Sequence, residues 1–147
     1  MKKLSNPTCI KVIIVLGVVS YSLQFTWEEF QCEPFFNHPS TTWMAAYMLG
    51  AAIVDVATTY IIYTIIALVS KSWLWFLGKW NRMQWALMLG IGLVASISFE
   101  LLSQASNSWG YTELAPLIPG LGISVIPVLQ FLLLIPLSFH ATRYIIK

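Results

Sequence analysis

Charge is scarce in this chain. Charged residues make up 10% of its 147 positions and hydrophobic ones 58%, whereas soluble domains carry roughly 25% charged residues. A soluble fold would have an almost chargeless surface, so that class is excluded. The bases form no stripe that could track a phosphate backbone, which excludes nucleic acid as a partner. Cysteine and histidine are equally sparse, at two each. Without a CxxC pair, a membrane thiol–disulfide oxidoreductase is disfavoured. Cys9 and Cys32 also fall on opposite sides of the membrane in the topology derived below, so they cannot pair within one chain. His38 lies in an outer loop and His140 near the inner end of the last span. Axial haem ligation needs histidines at a common depth, so haem is not expected. Glu28, Glu29, Cys32, Glu33 and His38 are close in sequence, but their spacing matches no established zinc pattern. No metal and no cofactor are expected. Ser96, Ser98 and Ser103 stand in no nucleophile-elbow context, which removes support for a hydrolase.

The charge that is present is sorted. All eight Lys and Arg fall into three stretches: Lys2, Lys3 and Lys11; Lys71, Lys79 and Arg82; Arg143 and Lys147. Glu28, Glu29, Glu33 and Glu113 lie in the two intervening loops, and Asp55 and Glu100 lie inside apolar segments. Cytoplasmic loops of membrane proteins carry excess Lys and Arg, so both termini and the middle loop are expected inside. A bilayer core needs about 20 mostly apolar residues per helix. Residues 10–27, 43–69, 83–104 and 119–144 meet that need. The lysines ahead of the first apolar run resemble a signal peptide. Ser20-Tyr21-Ser22 is a poor cleavage site, however, so a retained first span is expected. Trp73, Trp75, Trp80 and Trp85 would belt the inner interface, and Trp27, Trp43 and Trp109 the outer one. The expected architecture is all-α: one domain of four transmembrane helices in a bundle, with the fourth broken or kinked by Pro116, Pro119, Gly120, Gly122, Pro127 and Pro136. Proline removes an amide donor and clashes with the preceding turn. The freed carbonyls need partners in lipid, so a polar group should lie near the outer half of that span.

Polar residues within the spans share helical faces. Asp55 lies about 18 Å below Trp43 at ~1.5 Å per residue, near the bilayer centre. A carboxylate there costs at least ~2.5 kcal/mol and is a functional candidate by default. Ala51, Ala52, Thr58 and Thr59 share its face, with Tyr63 a turn further on, which suits close packing inside a bundle. Glu100 lies roughly 13 Å below Trp109, on one face with Ser96, Ser103, Gln104 and Asn107. Ser20, Gln24, Trp27, Glu28 and Gln31 form a stripe on the first span. Ser124, Pro127 and Gln130 form one on the fourth, with Gln130 roughly 16 Å below Pro119. No Lys or Arg is expected at the depth of Asp55 and Glu100.

Two stretches carry a resemblance. Trp27-Glu28-x-x-Gln31, Pro34-Phe35-Phe36 and the second-span aspartate form the first. Ser108-Trp109-x-Tyr111-x-Glu113-x-x-Pro116-x-x-Pro119 and Gly120-x-Gly122-x-Ser124-x-x-Pro127-x-x-Gln130 form the second. Together they resemble a family of small bacterial four-span membrane proteins. The resemblance implies a shared internal site, without naming its ligand. The chain departs from the pattern at Ala115, where methionine is expected, and at Val125-Ile126, which separates Ser124 from Pro127. Gly50-Ala51-Ala52 also stands where a histidine–cysteine pair is expected, so any metal or redox role of that pair would be lost. A looser analogy links Glu28-x-x-Gln31-x-x-Pro34-Phe35-Phe36 to the EXPERA membrane fold, at the level of fold alone. Small multidrug-resistance transporters, by contrast, are shorter and carry their essential acid within the first span, so the likeness to them fails.

These features predict a protein of the bacterial inner membrane with an acid-lined pocket open to the outer side, binding a small amphipathic or cationic ligand, a cation or protons. The expected site comprises Asp55, Glu100, Gln24, Glu28, Gln130, Trp27, Trp109 and Tyr111, with Asp55 and Glu100 carrying charge or protons, Gln24 and Gln130 orienting, and Glu28 at the mouth. This reading is not catalytic. A non-catalytic subunit of a larger membrane complex or homo-oligomer is the second reading. A membrane enzyme using Asp55 and Glu100 as an acid–base pair on a lipid-like substrate is the third.

Overall fold

The computed structural model describes residues 6–37 and 44–147. Lys2, Lys3, His38 and Trp43, on which parts of the topology and belt expectations rest, lie outside them. Four helices are long and apolar enough to cross a membrane: α1 (Asn6–Phe35), α2 (Met44–Val69), α3 (Arg82–Ala105) and α4 (Val125–Ile146). A two-residue strand follows α1 (β1, Phe36–Asn37) and another precedes α4 (β2, Gly110–Tyr111). They pair antiparallel, Phe36 opposite Tyr111, and so bring the C-terminal ends of α1 and α3 to the same end of the bundle. Arg143 near the end of α4 donates to the Gly78 carbonyl in the α2–α3 connection, which marks the opposite end. Each helix packs on its sequence neighbours and α4 closes on α1, and of these four contacts the one between α2 and α3 is the sparsest.

The bundle holds polar side chains in its interior and turns apolar ones outward. Ile13, Val18, Ile53, Ile61, Val94, Leu102, Leu133 and Leu137 are exposed, whereas Gln24, Glu28, Asp55, Glu100 and Gln130 are buried. Only a lipid environment makes that arrangement favourable, because every polar group must then be satisfied internally. Most of the buried hydroxyls manage this within their own helices, and Thr142 Oγ1 is an exception without a partner among the described residues. Thr58, Thr59, Ser103 and Ser138 each donate to the carbonyl four residues back. Ser20 adds one link between helices, a 3.1 Å hydrogen bond to Thr59.

Helix boundaries differ from the sequence expectation at two places. The first helix runs to Phe35 rather than Trp27, so Glu28 and Glu33 are helical residues and not loop residues. Gln31 and Cys32 are buried and continue the inward stripe, and the helix stops only where Pro34 withdraws an amide donor. The last carbonyls of α1, orphaned by that ending, accept from Thr112: its amide bonds Phe35 O at 3.1 Å and its hydroxyl bonds Pro34 O at 2.7 Å. The fourth helix begins at Val125 rather than Pro119. The Pro- and Gly-rich segment before it forms a closed turn, with the Ile118 amide on the Ile123 carbonyl at 2.8 Å and Gly120 and Gly122 at φ 84° and 67°. Those are left-handed conformations that glycine adopts without steric cost. Ser124 then caps α4 by accepting from the Ile126 amide. A polar partner for this turn is present in Gln104, whose Nε2 reaches the Gly122 carbonyl at 2.7 Å.

The basic end of the bundle is sealed by aromatic packing. Trp75 is 5% exposed; its ring lies 5.0 Å from Phe139, and its indole N–H donates to Tyr63 O. The expectation of an interfacial anchor is therefore corrected for Trp75, because the short helical turn Trp75–Leu77 folds it back under the bundle. Trp85 remains on the exterior. Replacing Trp75 with alanine should lower stability by about 3 kcal/mol, the scale of a core aromatic truncation, and clearly more than Trp85→Ala. Unfolding titrations in mixed micelles check both.

Candidate functional site

The half of the bundle beside the β1–β2 pair is organised by one side chain. Gln130 stands one turn into α4 and is 1% exposed. Its Nε2 lies 3.0 Å from Gln24 Oε1, 3.0 Å from Glu28 Oε1 and 2.8 Å from Asp55 Oδ2. Its Oε1 accepts from Gln31 Nε2 at 3.1 Å. α1, α2 and α4 thus meet at one carboxamide. A carboxamide has one donor end and one acceptor end, and a donor-only group fixes which way these amides point. The Trp27 indole N–H donates to Gln31 Oε1 at 2.9 Å. That turns Gln31 Nε2 toward Gln130, and Gln130 Nε2 toward the acids. Trp27 acts on the site through this relay. Gln24 presents its oxygen to Gln130, and its own buried Nε2 has no hydrogen-bond partner.

Beside this hub lies a cavity of about 720 Å³. Glu28, Asp55 and Glu100 line it together with Gln130, Cys32 and Trp109, and its walls are completed by apolar side chains such as Phe99 and Phe131. No Lys, Arg or His is among the lining residues described. The residues contributed by α1 and α4, Glu28, Gln31, Cys32, Gln130 and Phe131, are buried. Tyr47, Val54 and Leu102, on α2 and α3, are exposed. The open side therefore faces the loosely packed α2–α3 seam. Gly50 and Ala51 keep the α2 wall thin there.

Glu100 occupies a second cluster on the same cavity. It accepts a hydrogen bond from the Tyr111 hydroxyl, which accepts in turn from Gln104 Nε2 at 3.3 Å. Phe36 packs against both Trp109 and Tyr111, with ring centroids at 6.2 and 5.6 Å, so the β1–β2 pair roofs the cavity with aromatic rings. The Trp109 indole nitrogen is buried without a well-formed hydrogen bond.

Of the residues expected from sequence, Asp55, Glu100, Glu28, Gln130 and Trp109 line the cavity. Gln24 backs the hub, and Trp27 and Tyr111 act through Gln31 and Glu100. Glu28 is not at the mouth: it reaches the same amide as Asp55, because α1 continues past it and turns it inward. Gln31 and Gln104 were missing from the expected site, although each sits at helical spacing from an acid already in it.

The arrangement defines a multi-pass, helical-bundle membrane protein with polar groups converging on an internal cavity. No protein-family model matches the chain, and neither a curated protein nor a solved structure matches it.

Burial, and then the hydrogen bond to Glu100, push the Tyr111 phenol up to about 12. A folded value raised above the unfolded one means that the contact stabilises fully below the ordinary tyrosine value of about 10. The contribution is lost as pH rises through the folded value. Thermal stability of the wild type relative to Tyr111→Phe should be independent of pH up to about 10 and should fall as pH rises from there through about 12. Paired melting curves across alkaline pH measure it.

Proposed function

We propose that this protein binds a small amphipathic ligand with a positively charged head in the acid-lined cavity of its outer half. The observation that carries this reading is the composition of the cavity wall: Glu28, Asp55 and Glu100 face one space whose described lining holds no cation, and the rest of the wall is largely apolar. Burying a carboxylate without a partner is costly, and a ligand ammonium group would supply the missing charge while its apolar body covers the aromatic wall. An anionic head would be repelled by the same three acids.

In this reading the basic end of the bundle is cytoplasmic, following the distribution of Lys and Arg, and the protein resides in the bacterial inner membrane. The cavity then opens in the outer half of the bilayer. Entry is from the lipid, through the seam between α2 and α3, where the exposed lining residues lie. The protein binds its ligand and does not transform it.

Dodecyltrimethylammonium, dodecanol and dodecyl sulfate, each added below micellar concentration to the protein in lipid nanodiscs, test the reading by titration calorimetry. The ammonium compound should bind most tightly. Asp55→Asn and Glu100→Gln should each weaken it by about tenfold or more, the scale of one charge-assisted contact. Gly50→Trp should abolish binding while the fold is retained, because a Cβ added at Gly50 meets no atom within 4 Å and the residue lines the cavity. Equal binding of all three amphiphiles, or unchanged ammonium binding in all three variants, would overturn the proposal.

A further inference from the structure

Hydrogen bonds around Gln130 can be counted, and its own nitrogen cannot serve every acceptor that meets it. An amide nitrogen carries two hydrogens. Gln130 Nε2 is within 3.0 Å of three acceptor oxygens, those of Gln24, Glu28 and Asp55. Rotating the amides does not help. Turning Gln130 would aim its oxygen at two carboxyl groups, and turning Gln24 would set two N–H groups against each other. The Trp27 indole, which can only donate, holds the relay in the direction observed. Gln130 therefore leaves one acceptor to another donor, the Gln31 amide beside Glu28, and two of the three acceptors belong to carboxyl groups converging on one nitrogen.

The titratable groups facing this space are Glu28 and Cys32 from α1, Asp55 and Tyr47 from α2, and Glu100 from α3; α4 brings Gln130 and no titratable side chain. Glu28 lies within electrostatic reach of both Asp55 and Glu100. Like charges that share a dry site do not both ionise, and their protons belong to the pair.

We infer that Glu28 and Asp55 share a single proton over the Gln130 amide, that Trp27 positions this pair through Gln31, and that a cationic ligand enters by displacing the shared proton to water. The resting pair then carries one negative charge, and its shared proton adds to the hydrogens that the Gln130 and Gln31 amides supply. Ligand binding leaves two carboxylates facing the incoming cation. This last step rests on the ligand-site reading above. The shared proton and its positioning do not.

Infrared spectroscopy of the ligand-free protein tests the pair. Wild type at neutral pH should show the carbonyl stretch of a protonated carboxylic acid, downshifted in deuterium oxide. Glu28→Gln and Asp55→Asn should each lose it, since either change dissolves the pair, and Glu100→Gln should keep it. Trp27→Phe should retain helical content and melting behaviour yet shift or broaden the band. A wild type without the band, a band that survives in the Glu28→Gln/Asp55→Asn double variant, or a Trp27→Phe spectrum identical to wild type would each overturn the assignment. Displacement is read separately: dodecyltrimethylammonium affinity should rise about tenfold per pH unit across the titration of the band, the linkage expected for one released proton. Affinity independent of pH would overturn displacement. If no amphiphile binds but the band behaves as stated, the ligand reading fails and the proton pair stands.

Discussion

The carboxamide of Gln130 is the contact on which the half of the bundle beside the β1–β2 pair depends. It is buried in a lipid-facing bundle, touches both other helices that carry polar groups toward it, and draws its direction from an indole two residues removed in the hydrogen-bond chain. In hydrocarbon a misdirected amide has no water to turn to. The position of Glu28, Asp55 and Gln24 around one nitrogen therefore follows from the direction of that amide as much as from the helices that carry them.

The same constraint divides the polar residues into two kinds. Most serine and threonine hydroxyls within the helices satisfy themselves against the preceding turn of their own helix, so their stripes let helices approach closely and ask little of a neighbour. Carboxyl and carboxamide groups have too much hydrogen-bonding capacity for that and must meet across helices. They meet in the half beside the β1–β2 pair, where α2 and α3 separate. In the other half Trp75, Phe76 and Phe139 fill the space. One end of the bundle is thus a packed aromatic plug and the other a polar-walled cavity.

Periodicity made much of this legible. Asp55, Glu100, Gln24 and Gln130 announce themselves as polar residues in apolar segments at helical spacing, and all four are buried. Trp75 did not announce its burial, because a tryptophan beside basic residues reads as an interfacial anchor, and only the short turn after α2 carries it under the core. Glu28 was misplaced for a related reason. An acid beside another acid looks like the start of a loop, yet Gln31 and Cys32 beyond it are buried, and their burial keeps the helix going.

By itself the sequence determined the class of this protein: four apolar spans, a basic end, and carboxyl groups within the spans with no base at their depth. Those follow from composition and period, which act within a single helix and in its transfer to lipid. Which acids meet, around which amide and beside which cavity was decided only by tertiary structure. Convergence depends on the rotation of α1, α2 and α4 about their own axes, and that is set by side-chain packing between segments up to 106 positions apart.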